Sequence, residues 1–315
     1  GLSSSFCMMS CIRLTSRWFS TNKAGVVIGI VITVAMLGGI SGQFPIMMLV
    51  KHFSWQTTIK ICVVFGIFLW LILITLVKDY PQNEDTQHFT EQQQLHNIGL
   101  LKSIKLALKN PQNWLAGIYT NLMCLPVILL GAMWSIMYLT QARKFNMLQA
   151  SSISSMIFLG NIIGSPIFGL ISDKLGSRKK VLIFGAIFSF IIILFIIYTP
   201  NLSFTTMMIL FFILALASSV QVASYPLIIE SNPLCITSAA EGVTCTIIMS
   251  AGAIFQPLYG YIMDKNWHHK ITSAGLHLYS KLAYQDAMLL LVIAFIVATI
   301  ISFLIKDTYC KQLIK

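Results

Sequence analysis

Charged residues are scarce in this sequence of 315 residues: Asp, Glu, Lys and Arg together make up 10% of it, whereas hydrophobic residues make up 57%. A typical soluble domain carries about 25% charged residues. The scarcity excludes an ordinary soluble domain and predicts an integral, multi-pass membrane protein surrounded by a lipid bilayer. No Lys, Arg, Asp, Glu or His occupies the middle of a complete predicted span. The sequence therefore shows no obvious proton relay within the membrane.

Motifs of enzymes and of metal sites are also missing from the sequence. It has no Walker loop, no Gly-x-Ser-x-Gly elbow and no His-Glu-x-x-His motif. Its seven cysteines lack Cys-x-x-Cys spacing and fall mostly in apolar runs, as small buried hydrophobic residues do. His268 and His269 have no third ligand close by in the sequence. We therefore expect no enzymatic activity, no catalytic residue, no metal and no cofactor.

The net charge of +11 does not indicate a nucleic-acid partner. The basic residues are scattered through the links between apolar runs rather than gathered in one patch or along one helix. If spans alternate and the link after residue 172 is cytoplasmic, fourteen basic residues lie on the cytoplasmic side and seven on the opposite side. This bias follows the positive-inside rule and predicts a cytoplasmic C-terminus.

Charge-free runs predict eight complete membrane spans and the end of another. The complete spans are predicted at 24–50, 61–77, 114–139, 145–172, two within 181–229, 242–263 and 287–305. The run 181–229 is too long for one helix, and Thr199-Pro200-Asn201 supplies the break. Residues 1–12 are uncharged, but a helix of that length rises only about 18 Å. We expect them to be the end of a span that begins before Gly1.

Two further patterns concern helix packing and the membrane surface. The polar link 79–113 is predicted to be flexible at first, and its Leu100–Lys109 segment has the pattern of an amphipathic helix lying on the membrane. Small residues at four-residue spacing predict close helix contacts. The pairs with this spacing are Gly25/Gly29, Gly38/Gly42 and Gly160/Gly164.

The most informative motif lies between two long apolar runs and reads Gly169-Leu-Ile-Ser-Asp173-Lys174-Leu-Gly176-Ser-Arg178-Lys179-Lys180. Gly169 lets two helices approach closely, and Gly176 permits a tight reversal with positive φ. Asp173 can lie against the positive N-terminal end of a neighbouring helix. The basic residues hold the link on the cytoplasmic side. The alternative interpretation is any basic turn between two membrane helices.

The spacing Gly-x-x-x-Asp-Lys-x-Gly-x-Arg-Lys resembles the signature loop of the major facilitator superfamily of secondary transporters. A weak internal repeat agrees, since Gly39-Ile-Ser-Gly-Gln43-Phe-Pro45 is similar to Gly252-Ala-Ile-Phe-Gln256-Pro257 and the halves of these transporters are parallel repeats. The resemblance implies an all-α transmembrane helical bundle. It comprises a partial N-terminal half at 1–78 (the end of helix 4, helices 5 and 6), a cytoplasmic central loop at 79–113 and a complete C-terminal half of six helices at 114–315. The first three helices and the start of the fourth would be missing, and we expect the chain alone not to transport.

Polar side chains within the spans are the candidate substrate-binding residues. In the resembled fold the first, fourth, seventh and tenth helices line the cavity, which favours residues of the seventh and tenth helices. The candidates are Tyr119, Asn121, Trp134, Asn161, Gln221, Tyr225 and Gln256. For each of them the alternative role is a hydrogen bond between helices, without a ligand.

The resemblance implies secondary active transport of a small organic solute by alternating access. Short patches, among them Asn110-Pro-Gln-Asn-Trp114 and the stretch 252–264, are also similar to a bacterial branch that contains phagosomal nutrient transporters and is related to lysosomal dipeptide carriers. That branch implies amino acids or small peptides as substrates and a bacterial inner membrane as the location. Protons are a candidate coupling ion, with the ionisable group in the missing helices. Drug or metabolite efflux, a non-transporting receptor or scaffold, and an inactive gene fragment are the alternatives.

Overall fold

The computed structural model describes residues 10–12, 14–15, 18–19, 21–77, 99–267 and 277–312, with the side chains at 21–22, 39, 41–48, 50–51, 100 and 234 left aside. Within these ranges the fold is a bundle of α-helices, as the apolar runs predict. Most of the link 79–113, the first nine residues and the pair His268-His269 lie outside the described residues.

The described part of the chain contains nine helices that are numbered in chain order. They are α1 (Thr21–Phe53), α2 (Trp55–Leu76), α3 (Leu100–Lys109), α4 (Pro111–Ala142), α5 (Met147–Leu175), α6 (Arg178–Tyr198), α7 (Phe204–Glu230), α8 (Thr237–Lys265) and α9 (Lys281–Leu304).

Seven of these helices, α2 and α4 to α9, are long and apolar enough to cross a membrane. They correspond to seven of the eight predicted spans. The eighth falls in α1, which has 33 residues and whose described apolar stretch is Lys23–Gly38. The predicted break within 181–229 is confirmed, because α6 ends at Tyr198 and α7 begins at Phe204. The helices extend beyond most predicted spans because their polar ends are helical too.

Two of the long helices are irregular near the middle of the bundle. In α4, regular helix ends at Met123 and a π-helical stretch runs over Pro126–Trp134, because Pro126 has no N–H to donate to the preceding turn. In α7, a 3₁₀ segment at Ser219–Ala223 separates Phe204–Ser218 from Ser224–Glu230. Such breaks leave backbone groups unsatisfied by the helix itself, and they are tolerated in membranes only where protein or a cavity covers them.

Glycines bring α1 against α5 and α5 against α7. A Cβ atom on Gly169 would lie 2.3 Å from the carbonyl oxygen of Gly25, and one on Gly29 would lie 2.6 Å from that of Ser165. A Cβ on Gly160 would lie 2.5 Å from the carbonyl oxygen of Phe212, and one on Gly164 would lie 2.1 Å from Ser219 Oγ. These distances confirm the predicted close contacts at Gly25/Gly29 and Gly160/Gly164, because only hydrogen fits there.

For the third pair, Gly38/Gly42, the described residues show no close contact at Gly38, since a Cβ added there would meet none of their atoms within 4 Å, and Gly42 is among the residues whose surroundings are not described. Gly38 lies on an exposed part of α1. Its spacing to Gly42 makes a small-residue stripe, but the described neighbouring helices do not pack on it. A small-residue stripe creates room for a neighbour without supplying one.

The amphipathic segment Leu100–Lys109 does form a helix, α3, and Gly99 at its start has a φ of 76°. Ser103 and Ala107 are buried against the bundle, whereas Leu101 and the lysines are exposed. Asn110 then caps α4 by accepting a hydrogen bond from the Gln112 N–H at 3.0 Å. The helix therefore leads directly into the membrane span that follows it.

Candidate functional site

The signature segment forms the turn between α5 and α6. Gly176 ends α5 in the left-handed region with φ 59° and ψ 26°, and its N–H donates to the carbonyl of Asp173. A residue with a Cβ atom is strained in this conformation, whereas glycine is not. Ser177 caps α6 by accepting a hydrogen bond from the Lys180 N–H. The short turn places Asp173 and Arg178 on the same side of the helix ends.

Arg178 is the centre of a buried polar cluster, and its side chain is fully enclosed. Its Nη2 donates to Glu230 Oε1 at 2.8 Å, and its Nη1 donates to Ser172 Oγ at 3.0 Å and to Asp173 Oδ1. Glu230 is also fully buried, at the end of α7. Charges removed from solvent in this way are stable only when they are paired and hydrogen-bonded. The motif thus supplies an arginine whose carboxylate partner comes from another helix.

Asp173 connects this cluster to α1. Its Oδ2 accepts a hydrogen bond from the backbone N–H of Val26 at 3.0 Å. The connection is possible because Gly169 and Gly25 let α5 and α1 nearly touch. Val26 lies in the second turn of α1, close to the positive end of that helix. One carboxylate thus faces Arg178 on one side and the start of α1 on the other.

The remaining signature residues lie at the edge of the cluster. Lys174 is exposed in the last turn of α5, where a positive charge complements the helix dipole. Lys179 Nζ donates to the carbonyl oxygen of Phe303 at 2.6 Å, near the end of α9. The segment that follows α9 also reaches the cluster, since Thr308 Oγ1 donates to Glu230 Oε2.

The candidate residue Gln221 of α7 contacts α4 close to where both helices become irregular. Gln221 is buried in the 3₁₀ segment and its Oε1 accepts a hydrogen bond from Cys124 Sγ at 2.7 Å. Thr120 and Ser224 share a hydrogen bond between their hydroxyl groups. Tyr225 is buried one residue further on. Polar side chains therefore line the junction of the two broken helices.

The partners Thr120, Cys124 and Ser224 were not among the sequence candidates. Their spacing gives a signal in retrospect, since residues four apart in α4 and three apart in α7 each share one helix face. That signal is weak, because Thr, Ser and Cys are ordinary packing residues in membrane helices.

The other candidates are spread over the bundle. Tyr119 is fully buried and its hydroxyl donates to the carbonyl oxygen of Leu182 at 2.7 Å. Asn121 donates to the Ile247 carbonyl at 2.6 Å, and Gln256 donates to that of Ile128 at 3.4 Å. These bonds join α4 to α6 and α8. Each of these three residues makes an interhelical hydrogen bond, the alternative role considered for it.

Trp134 and Asn161 each hold a polar atom without a partner among the described residues. Trp134 packs its ring on Tyr259, with ring centroids 5.0 Å apart. Its Nε1 and the Tyr259 hydroxyl are buried and make no hydrogen bond within the described residues. Asn161 donates to Ile157 in its own helix at 3.1 Å, and its Oδ1 is similarly unpaired. Trp134 and Asn161 therefore take no part in the hydrogen bonds between Gln221 and α4.

Two cavities lie away from these residues. One of about 490 Å³ is lined by α4, α8 and α9, and Asp286 is the charged residue among the described residues that line it. Another of about 410 Å³ lies among Thr15, Val27, Val31 and Leu76 and is lined mostly by apolar side chains. Neither is lined by a candidate substrate residue. Among the residues that the structure describes, no group of three His, Cys, Asp or Glu side chains could hold a metal ion.

Comparison with known proteins agrees with the motif and the bundle. Two curated relatives, the membrane sensor protein UhpC of Salmonella typhimurium and that of Escherichia coli, are 24% identical over 190 residues and 26% identical over 194 residues. Each alignment covers 56% of this chain and 43% of the relative, so the chain matches less than half the length of these proteins. The sequence profile of the Major Facilitator Superfamily matches residues 1–233. The chain therefore belongs to the major facilitator superfamily.

Proposed function

We propose that this protein takes part in secondary transport of a small organic solute by alternating access. The observation that carries the proposal is the buried Asp173–Arg178–Glu230 cluster at the tight contact between α1 and α5. We assign α1 and α2 to an N-terminal half and α4 to α9 to a C-terminal half. The contact then joins the two halves at one end of the bundle, where it stabilises a closed state that must release during a cycle.

The substrate would bind where α4 and α7 are irregular. Gln221, Cys124 and the Thr120–Ser224 pair provide hydrogen-bonding groups at this junction, and Tyr225 adds an aromatic ring. Broken helices at mid-membrane are a common location for substrates in secondary transporters. Amides and hydroxyls fit a small polar solute, and amino acids or small peptides are our proposed class. The roles of Trp134, Asn161, Asn121, Tyr119 and Gln256 in binding stay predictions, as does coupling to protons.

Replacing Asp173 with Asn tests the cluster. The variant keeps the size of the side chain but loses the charge that faces Arg178 and the start of α1. We expect uptake of radiolabelled solutes into vesicles to fall by roughly tenfold, corresponding to about 1.4 kcal/mol, with the protein still in the membrane. The protein assayed for uptake, with and without Asp173→Asn, is the full-length product of the gene that encodes these residues.

The matched control is Asp286→Asn, because Asp286 is an exposed carboxylate at the start of α9 and is not part of the cluster. Its uptake should equal that of the unmodified protein. Equal uptake by both variants would remove the proposed role of Asp173.

The proposed orientation, with the signature turn and the C-terminus in the cytoplasm, is tested by thiol labelling. Lys174 is exposed in the turn, whereas Ser177 is buried, so a cysteine is best introduced at Lys174. Lys265 is exposed at the opposite end of the bundle and serves as the control. A membrane-impermeant maleimide applied to intact cells should label Lys265→Cys and spare Lys174→Cys. The reverse pattern would contradict this orientation. It would also contradict a cytoplasmic location of the contact between α1 and α5.

A second candidate function is that of a membrane sensor, favoured by the name of the two curated relatives. A sensor with this fold would bind a solute and change conformation without moving it. The two functions are separated by measuring solute binding and vesicle uptake on the same preparation. Uptake supports transport, whereas saturable binding with no uptake supports a sensor. We place the protein in a bacterial inner membrane, and fractionation of cells that express it tests this location.

A further inference from the structure

The segment that follows α9 packs against the Asp173–Arg178–Glu230 cluster, which we call the signature cluster. Asp307 Oδ1 accepts a hydrogen bond from the backbone N–H of Arg178 at 3.0 Å, and its Oδ2 accepts one from Ser177 Oγ. Asp307 therefore caps the start of α6, where its negative charge is favourable. Gln312 Nε2 donates to the carbonyl oxygen of Ile229 at 3.1 Å, beside Glu230. We call residues 305–312 the C-terminal strap.

Thr308 completes the hydrogen bonding of Glu230. Thr308 is 1% exposed, and its Oγ1 donates to Glu230 Oε2. Arg178 donates to Oε1 from Nη2 at 2.8 Å and reaches Oε2 only through a longer bond from Nε at 3.5 Å. A buried carboxylate needs donors on both oxygens, because water cannot supply them. Without the Thr308 hydroxyl, Glu230 would have to draw further on the donors of Arg178.

The backbone of the strap is held in a conformation that its residues disfavour. Tyr309 and Cys310 have φ values of 53° and 56°, and the N–H of Lys311 donates to the carbonyl of Thr308 at 3.1 Å. Two consecutive left-handed residues form a turn that normally carries Gly or Asn. Such strain persists only where surrounding contacts determine the conformation. The buried bond of Thr308 and the partly buried bonds of Asp307 and Gln312 are those contacts.

We propose that the C-terminal strap positions the Arg178–Glu230 pair and, through it, sets how firmly α1 is fastened to α5. The connected path runs from Thr308 through Glu230 and Arg178 to Asp173, and from there to the backbone of Val26. When Thr308 is lost, Glu230 competes with Asp173 for the guanidinium group. The pairing of Asp173 with Arg178 then becomes weaker, so Asp173 is held less firmly beside the start of α1. The contact between α1 and α5 therefore opens more readily. The inference rests on the proposed function, because it assumes that this contact opens and closes.

The test compares Thr308→Val, which removes the hydroxyl at nearly constant shape, with Thr308→Ser, which keeps it. Spin labels are placed at Lys23 and Lys180, both exposed, near the start of α1 and of α6, in a background whose seven cysteines are replaced with Ala. Double electron–electron resonance then gives the distribution of distances between the two labels in membranes. We expect Thr308→Val to raise the ratio of long to short distances roughly tenfold, as loss of a hydrogen bond to a charged group would. Thr308→Ser should match the unmodified protein.

Cys310 provides a second measurement on the native strap. Its side chain is 4% exposed, and burial raises the pKa of its thiol to about 11, so it stays protonated near pH 7 and reacts slowly with maleimide. With Cys310 as the sole cysteine, Thr308→Val should increase its labelling rate, and Thr308→Ser should not. Faster labelling without a change in the Lys23–Lys180 distances would show that the strap detaches without moving α1, which would contradict the inference.

The outcomes separate the strap from the proposed function. If Asp173→Asn lengthens the distances but Thr308→Val leaves them unchanged, the strap has no positioning role and the contact between α1 and α5 still opens and closes. If Thr308→Val and Thr308→Ser act alike, the hydroxyl is not the positioning group and the inference is wrong. If neither Asp173→Asn nor Thr308→Val changes the distances, the proposed function itself fails.

Discussion

Replacing Arg178 with Met should be the most damaging single substitution in the described part of the chain. It removes the cation that pairs with the fully buried Glu230 and with Asp173. Breaking a buried ion pair by removing one partner typically costs about 3–5 kcal/mol, because the other charge remains buried. We expect Tm in detergent to fall by on the order of 10 °C and the amount of folded protein to decrease.

The double variant Arg178→Met with Glu230→Gln separates stability from function. It removes the charge of Glu230 together with that of Arg178, so Glu230 no longer remains as a buried charge without a partner. Asp173 still loses its partner, so Tm should recover in part rather than completely, and uptake should stay low. A double variant as unstable as Arg178→Met would show that the buried charge of Glu230 does not cause the loss.

Replacing Gly169 with Ala should have the second largest effect. The added Cβ would lie 2.3 Å from the carbonyl oxygen of Gly25 and 2.7 Å from its carbonyl carbon. Both atoms are backbone, so α1 and α5 must move apart. Overpacking of this kind costs typically about 1–3 kcal/mol, and it acts directly on the contact that we propose to open and close. We expect uptake to fall by roughly tenfold or more, with the Lys23–Lys180 label distances shifted to longer values.

Gly38→Ala is the matched control within α1, because its Cβ would meet no atom of the described residues within 4 Å. Alanine is favoured over glycine in helices by up to about 1 kcal/mol, so this variant should be as stable as the unmodified protein or slightly more so. Opposite signs for the two glycine substitutions would locate the effect at the α1–α5 contact. A Gly169→Ala variant with normal uptake and distances would contradict that contact's role.

The sequence could predict most of the fold because the membrane imposes a simple rule on it. A helix that crosses lipid must be long and apolar, and every backbone group must be satisfied within it. The break between α6 and α7 followed from Pro200 and its polar neighbours, and the tight turn followed from Gly176, which has a positive φ. These features depend on neighbours in the sequence, and local patterns record them directly.

The partners of the signature cluster could not be predicted in the same way. Glu230 lies 52 residues from Arg178, and Thr308 lies 78 residues from Glu230. Nothing in a single sequence marks which buried carboxylate will meet which cation, because that depends on how whole helices pack. Gly38 shows the converse case, since its spacing resembles that of Gly25 and Gly160 but no described helix packs on it.

The distance between labels at Lys23 and Lys180, in the unmodified protein and in Asp173→Asn, tests the central claim most directly. It reports whether the contact held by Asp173 opens and closes, for a transporter and for a sensor alike, and it needs no knowledge of the solute. We predict two populations of distances in the unmodified protein, with the short one dominant, and a shift of the Asp173→Asn variant towards the long one. A single short distance that is the same in both proteins would contradict the claim.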